Sequence, residues 1–292
     1  MRKLPLIILT ALVAVAAAAF VYMMQWDAVG NWTPNHRFYV HTTTNTLAHL
    51  VEQVGGEDVG VSPIVASNIE PHDYEPTAND VITGLSGDVF VMNGAGLDAW
   101  ATTIADQREE AGKRIIVALD ENARDPHFWL DPLSVINFIN QVEQVYEQID
   151  PEYAAQYRAN ADAYIDELYQ LDTEFRSRLV NCEKPEIVVA HDAFNYLGDR
   201  YGFEIHPVTG ISPDEEPSPS DLANLAQFMK DNNITVVFFE ETATDNIAQV
   251  LADEANARTE VLYTLEVLPA EETYLSLMRM NLERIADAMV CR

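Results

Sequence analysis

Three histidines sit where imidazole chemistry is the natural reading. His72 lies in "IEPHDYEP", between prolines that fix the backbone; His127 lies in "DPHFWLDP", between two Asp-Pro corners; His191 follows directly on the apolar run "EIVVA". Taken singly, each is an ordinary hydrogen-bonded loop residue. Their company changes the reading, because Asp73, Asp125, Asp131 and Asp192 are carboxylates that can accept from one ring nitrogen and aim the other at a metal. Three imidazoles close a tetrahedral site only with a fourth ligand. Acids at the ends of later apolar runs are candidates: Glu240 and Glu241 in "FFEE", and Glu266 in "LYTLE". His36, His41, His49 and His206 lack a comparable setting and are assigned to fold or surface.

Residues so far apart meet only if the chain folds back on itself repeatedly, and its pattern says that it does. Short apolar runs ("FYVHTTT", "VGVSPIVA", "DVFVMNG", "KRIIVAL") alternate with helical periods ("TLAHLVEQVGG", "DVITGLSG", "GLDAWATTIADQR"). Gly55-Gly56 marks a helix stop. A helical period resumes over residues 134–149, and Pro151 opens a longer helix of roughly 28 residues, about 40 Å. The alternation then repeats through "EIVVA", "EIHPVT", "TVVFFE" and "TEVLYT", and "EETYLSLMRMNLERIADAMV" is the last helix. This predicts an α/β protein of two parallel-sheet lobes joined by a long rigid helix, divided as 37–150, 151–180 and 184–292. Ligands of open parallel sheets collect outside the carboxyl ends of the strands, so His72, His127 and His191 could all face one crevice.

The chain has 292 residues, with 47 Asp plus Glu against 17 Lys plus Arg, a formal charge of −30. Such a field repels polyphosphate, which excludes nucleic acid as a partner, and concentrates cations. Arg2 and Lys3 precede an uncharged run of 23 residues, 4–26. Residues 1–26 therefore form an export segment, read either as a signal peptide cleaved near the small residues 16–19 or as an uncleaved anchor. No cysteine follows it to carry a lipid. Cys182 and Cys291, an even pair in an exported chain, permit one disulfide; two free thiols are the alternative.

The combination "PHDYEP", "DPHFWLDP", "VVAHDAFNYLGDRYG" and "TYLSLMRMNL", supported by "MNGAGLDAW" and "GISPDEEPSPSDL", resembles the extracytoplasmic metal-binding proteins of zinc and manganese ABC importers, zinc-type branch, from about residue 37 to 290. The resemblance implies one metal between two lobes bridged by a rigid helix. Its ligands would be His72, His127, His191 and, after the last strand, Glu266, with Glu240 supporting. It further implies a monomer that serves a membrane permease and its cytoplasmic ATPase, placed in the periplasm or on the outer face of the membrane. Two departures stand out: the His-rich loop of many zinc-type members is replaced by the short "DENARDP", and Asp98 stands where relatives carry Glu.

Three neutral imidazoles and one carboxylate suit Zn²⁺, whereas manganese-type relatives carry a harder set of two histidines and two acids; a manganese or iron role is the alternative. A zinc hydrolase with Glu240 or Glu266 as base ranks far below, since no H-E-x-x-H pattern is present. An adhesin-like surface role is compatible with the same fold.

Overall fold

The computed structural model describes residues 36–67, 69–211, 217–240, 246–269 and 272–292. The export segment 1–26, Glu241 and part of "GISPDEEPSPSDL" lie outside them. Two four-stranded sheets, all parallel, are built in the same order. In the first lobe β1 (Phe38–Thr42), β2 (Val59–Pro63), β3 (Val89–Met92) and β4 (Arg114–Val117) run β2-β1-β3-β4. In the second, β5 (Glu186–Val189), β6 (Glu204–Pro207), β7 (Val236–Phe239) and β8 (Arg258–Val261) run β6-β5-β7-β8. The central strand β3, "VFVM", is buried throughout, as a strand covered by helices on both faces must be.

Local chemistry sets the helix ends. In α1 (Asn45–Gly55) the Thr44 hydroxyl accepts from the Leu47 amide, and Gly56 at φ 58° ends the helix with its amide on the Glu52 carbonyl. A capping box of Thr77 and Asp80 starts α2 (Ala78–Leu85). The expected helix over "GLDAWATTIADQR" is in fact a 3₁₀ turn at Ala99–Ala101 followed by α3 (Thr102–Glu110). The turn forms because Asp98 folds back: its carboxylate accepts from the Asn93 and Gly94 amides and the Thr43 hydroxyl, so the shorter acid is fully used. Asp131-Pro132 opens α4 (Pro132–Ile149), Asp131 accepting from the Leu133 amide and the Ser134 hydroxyl.

The long helix α5 (Ala154–Arg178) has 25 residues, about 37 Å. Pro151 lies before it, in a turn closed by the Tyr153 amide on the Asp150 carbonyl, so the helix starts three residues later than expected. It packs on α1 and α4 of the first lobe and on α9 (Tyr274–Ala288) of the second. Arg279–Glu174 and Arg178–Glu283 ion pairs lace α5 to α9. The second lobe's other helices are α6 (Asn195–Tyr201), α7 (Pro219–Asn232) and α8 (Asn246–Ala255). Cys182 and Cys291 form the disulfide that joins the start of this lobe to the end of the chain. None of the described helices is long and apolar enough to cross a membrane.

One apolar core runs without interruption from Phe38 and Val89, through Tyr157 and Leu168 of α5, to Ile187, Phe238 and Ile285. A wide hinge would have to tear it open. Solution scattering is therefore expected to give a radius of gyration near 18 Å that changes by less than about 0.5 Å when zinc is added. A change of several ångströms would contradict a rigid seam.

Candidate metal centre

Each sheet reverses strand order between its two central strands, and segments that follow strands of both sheets meet at one place. His72 follows β2, His127 follows β4, His191 follows β5 and Glu266 follows β8. All four arrive at one point. Nε2 of His72 lies 3.1 Å from Nε2 of His127, and each lies 3.1 Å from Oε1 of Glu266. Nε2 of His191 is 3.4 Å from that of His127 and 3.9 Å from Glu266 Oε1. A tetrahedral ion with bonds of about 2.0–2.1 Å needs donor atoms about 3.3 Å apart, so the four already stand near the corners of such a figure. The four residues form a group that could hold a metal ion, buried except at His72. Solvent thus reaches the centre from the His72 side. The other carboxylate oxygen, Glu266 Oε2, is buried without a hydrogen-bond partner among the described residues, a costly arrangement that a cation beside it would relieve.

Two rings are aimed from behind. Nδ1 of His127 donates to Asp125 Oδ1 at 2.7 Å, and Nδ1 of His191 donates to Glu240 Oε1. A carboxylate only accepts, so in both rings Nδ1 carries a proton and Nε2 faces the centre. Asp125 and Glu240 therefore do for two imidazoles what the sequence suggested acids would. Asp131 and Asp192 do something else. Asp131 caps α4 and takes a bidentate pair from Arg200 of α6, at 2.9 and 2.6 Å, because open helix amides and a guanidinium fork are its nearest donors. Asp192 accepts from Asn195 Nδ2. His36 and His206 are partly exposed, whereas His41, within β1, is buried with its Nε2 on the Ser86 hydroxyl.

Sequence reasoning missed three contributors. Trp129 donates from its indole to the Thr264 carbonyl at 2.7 Å, and its own carbonyl accepts from Tyr274 Oη at 2.7 Å, so the corner carrying His127 is bolted to the strand end carrying Glu266. Leu265 is held at φ 59°, a left-handed conformation costly for a leucine, with its carbonyl accepting from the Thr46 hydroxyl; this aims Glu266 inward. Glu70, in the quoted "IEPHDYEP", accepts from the His72 amide at 3.2 Å and lies with Glu240 and Glu266 in a group of three carboxylates. Burial, with Glu266 adding to it, pushes Glu70 up to about 8.

Burial alone would lower the pKa of His127, but its bonds to Asp125 and Glu266 outweigh it and push the ring up to about 9. Burial would likewise raise Glu266, yet the imidazoles of His127 and His72 hold it well below the usual carboxylate range. At neutral pH the metal-free centre therefore holds a proton on His127 Nε2, which a cation must displace. Zinc binding is expected to release about one proton at pH 7.5 and to tighten with pH up to about 9. Calorimetric titration in buffers of different ionisation enthalpy measures this, and a heat independent of buffer would contradict it. Stability of the metal-free chain follows the same groups: the His127 contribution is complete below about pH 6.5 and lost as pH rises through about 9, and that of Glu266 is lost on acidification below about 4.5.

Comparison with known proteins agrees with this geometry. Residues 40–288 match the family described as "ZnuA: Zinc-uptake complex component A periplasmic". The high-affinity zinc uptake system protein ZnuA of Bacillus subtilis is 31% identical over 284 residues, 88% of this chain and 89% of that protein. The Zn(II)-bound ZnuA-like domain of Streptococcus pneumoniae AdcA superposes with a TM-score of 0.76 at 30% identity, covering 86% of this chain and 98% of the domain. Full-length AdcA is longer, and this chain spans 54% of it. A laminin-binding protein of Streptococcus agalactiae, described as bifunctional in adhesion and metal transport, gives 0.79 at 29% identity over 86% of this chain and 99% of that one. The fold and centre are those of a substrate-binding protein, the capture component of an ABC importer rather than an enzyme. The chain belongs to the ZnuA family of extracytoplasmic zinc-uptake proteins.

Proposed function

We propose that this chain captures one Zn²⁺ outside the cytoplasmic membrane through His72, His127, His191 and Glu266 and passes it to the permease of an ABC importer, whose ATPase works on the cytoplasmic side. The observation that carries this reading is the spacing of four donor atoms, three of them from buried residues, close to the edge lengths of a zinc tetrahedron. Three imidazoles favour Zn²⁺ over the harder Mn²⁺. Glu266 fills the fourth corner, so no place is left for a reactive water, in keeping with transport rather than hydrolysis. The working division is a first lobe at 37–150, a connecting segment at 151–180 that carries α5, and a second lobe at 184–292, acting as a monomer. Residues 1–26 would deliver the chain across the membrane, as a cleaved signal or as an anchor to its outer face.

Metal analysis of protein purified without added metal is the direct test. Zinc near one ion per chain, retained in competition with excess manganese, is the expected result. Manganese displacing zinc at equal concentration would move the protein to the manganese-type branch.

A further inference from the structure

At the far end of the second sheet, three side chains with metal-ligating atoms meet on one face. Glu186 and Glu204 are paired residues at the starts of the parallel strands β5 and β6, and His206 lies two residues along β6. Nε2 of His206 stands 3.2 Å from Glu186 Oε2 and 3.9 Å from Glu204 Oε2, and one donor atom from each of the three lies within 4.8 Å of the others. The imidazole is held in place by Phe228 of α7, the ring centroids 4.3 Å apart.

The charge arrangement is what needs explaining. Like charges directly opposite on neighbouring strands repel, yet no Lys or Arg among the described residues forms an ion pair with Glu186 or Glu204; their only ion-pair partner is His206. A divalent cation among the three would cancel this repulsion. The spacings bracket the roughly 3.3 Å between neighbouring ligands of a zinc ion.

We propose that Glu186, Glu204 and His206 form a second, open divalent-cation site that takes Zn²⁺ through one imidazole and two carboxylates, with water completing the shell. It is weaker than the closed centre because it is partly exposed and has one protein ligand fewer. His191 is five residues beyond Glu186, about 16 Å along a strand. That exceeds the screening length of about 8 Å at physiological salt, so the two sites fill independently. The proposal does not rest on the ligand assignment at the principal centre.

Titration of the full chain with zinc chloride, followed calorimetrically, tests it. The parent is expected to show two classes of site, about two zinc ions per chain in all. Glu204→Gln, a change at an exposed side chain, should weaken the second class at least about tenfold, and Glu204→Gln with His206→Ala should abolish it, both leaving the tight class intact; that retained class also reports that the variants fold. His127→Ala with His191→Ala should keep the weaker class. A single class in the parent, or a weaker class unchanged by Glu204→Gln, would overturn the second site without touching the reading of the first.

Discussion

Zinc binding by a His127→Ala, His191→Ala double variant is expected to fall by more than about three decades. Four-ligand zinc sites hold the ion with roughly 10–16 kcal/mol. Removing half of the ligands therefore costs about 5 kcal/mol or more, at 1.4 kcal/mol per decade. Glu266→Ala should cost less, about two decades, because three imidazoles remain and water takes the open corner. Glu266→Gln keeps the shape without the charge and separates the two contributions. Equilibrium dialysis measures all three. If Glu266→Ala bound as tightly as the parent while Glu240→Ala did not, the fourth ligand would be Glu240, which the geometry instead places behind His191.

Removing the disulfide is expected to be the most damaging change away from the metal. Cys182 and Cys291 are 109 residues apart, and cross-linking so long a loop restricts the unfolded chain by about 4.7 kcal/mol at most, typically 2–4. For a chain of this size Cys182→Ala with Cys291→Ala should lower the melting temperature by roughly 5–15 °C. Zinc affinity should persist, since the bridge lies before β5 and His191 lies after it. A variant that melts like the parent but loses zinc would contradict both halves of this expectation.

Strands such as "VFVM" and helices such as α1 announce themselves because their burial pattern is local and periodic. His72, His127 and His191 were legible for a related reason: each follows a strand, and strand ends of parallel sheets converge. Asp125 was legible because it is two residues from the ring that it aims. Glu266 was one of several strand-end acids, singled out by family resemblance. What chooses it in space is Leu265 in a left-handed conformation and Trp129 reaching 135 residues along the chain to Thr264, neither of which leaves a periodic trace. Asp131 shows the converse, since proximity to His127 suggested a partner for the ring while the open amides of α4 and Arg200 claimed it. The starting point of α5 was missed by three residues because proline serves equally well in a preceding turn and in a first helical turn.

The uninterrupted core has a thermodynamic meaning. Lobes that share their interior cannot melt separately, so free energy gained at the seam is credited to every residue of both. An ion held at a hundred times its dissociation constant adds about 2.7 kcal/mol to the unfolding free energy of such a unit. The cargo is thus also a reversible staple. A loaded chain opens less often to proteases than one that has delivered its ion, and the extracytoplasmic population of carriers is biased toward those still carrying something to deliver.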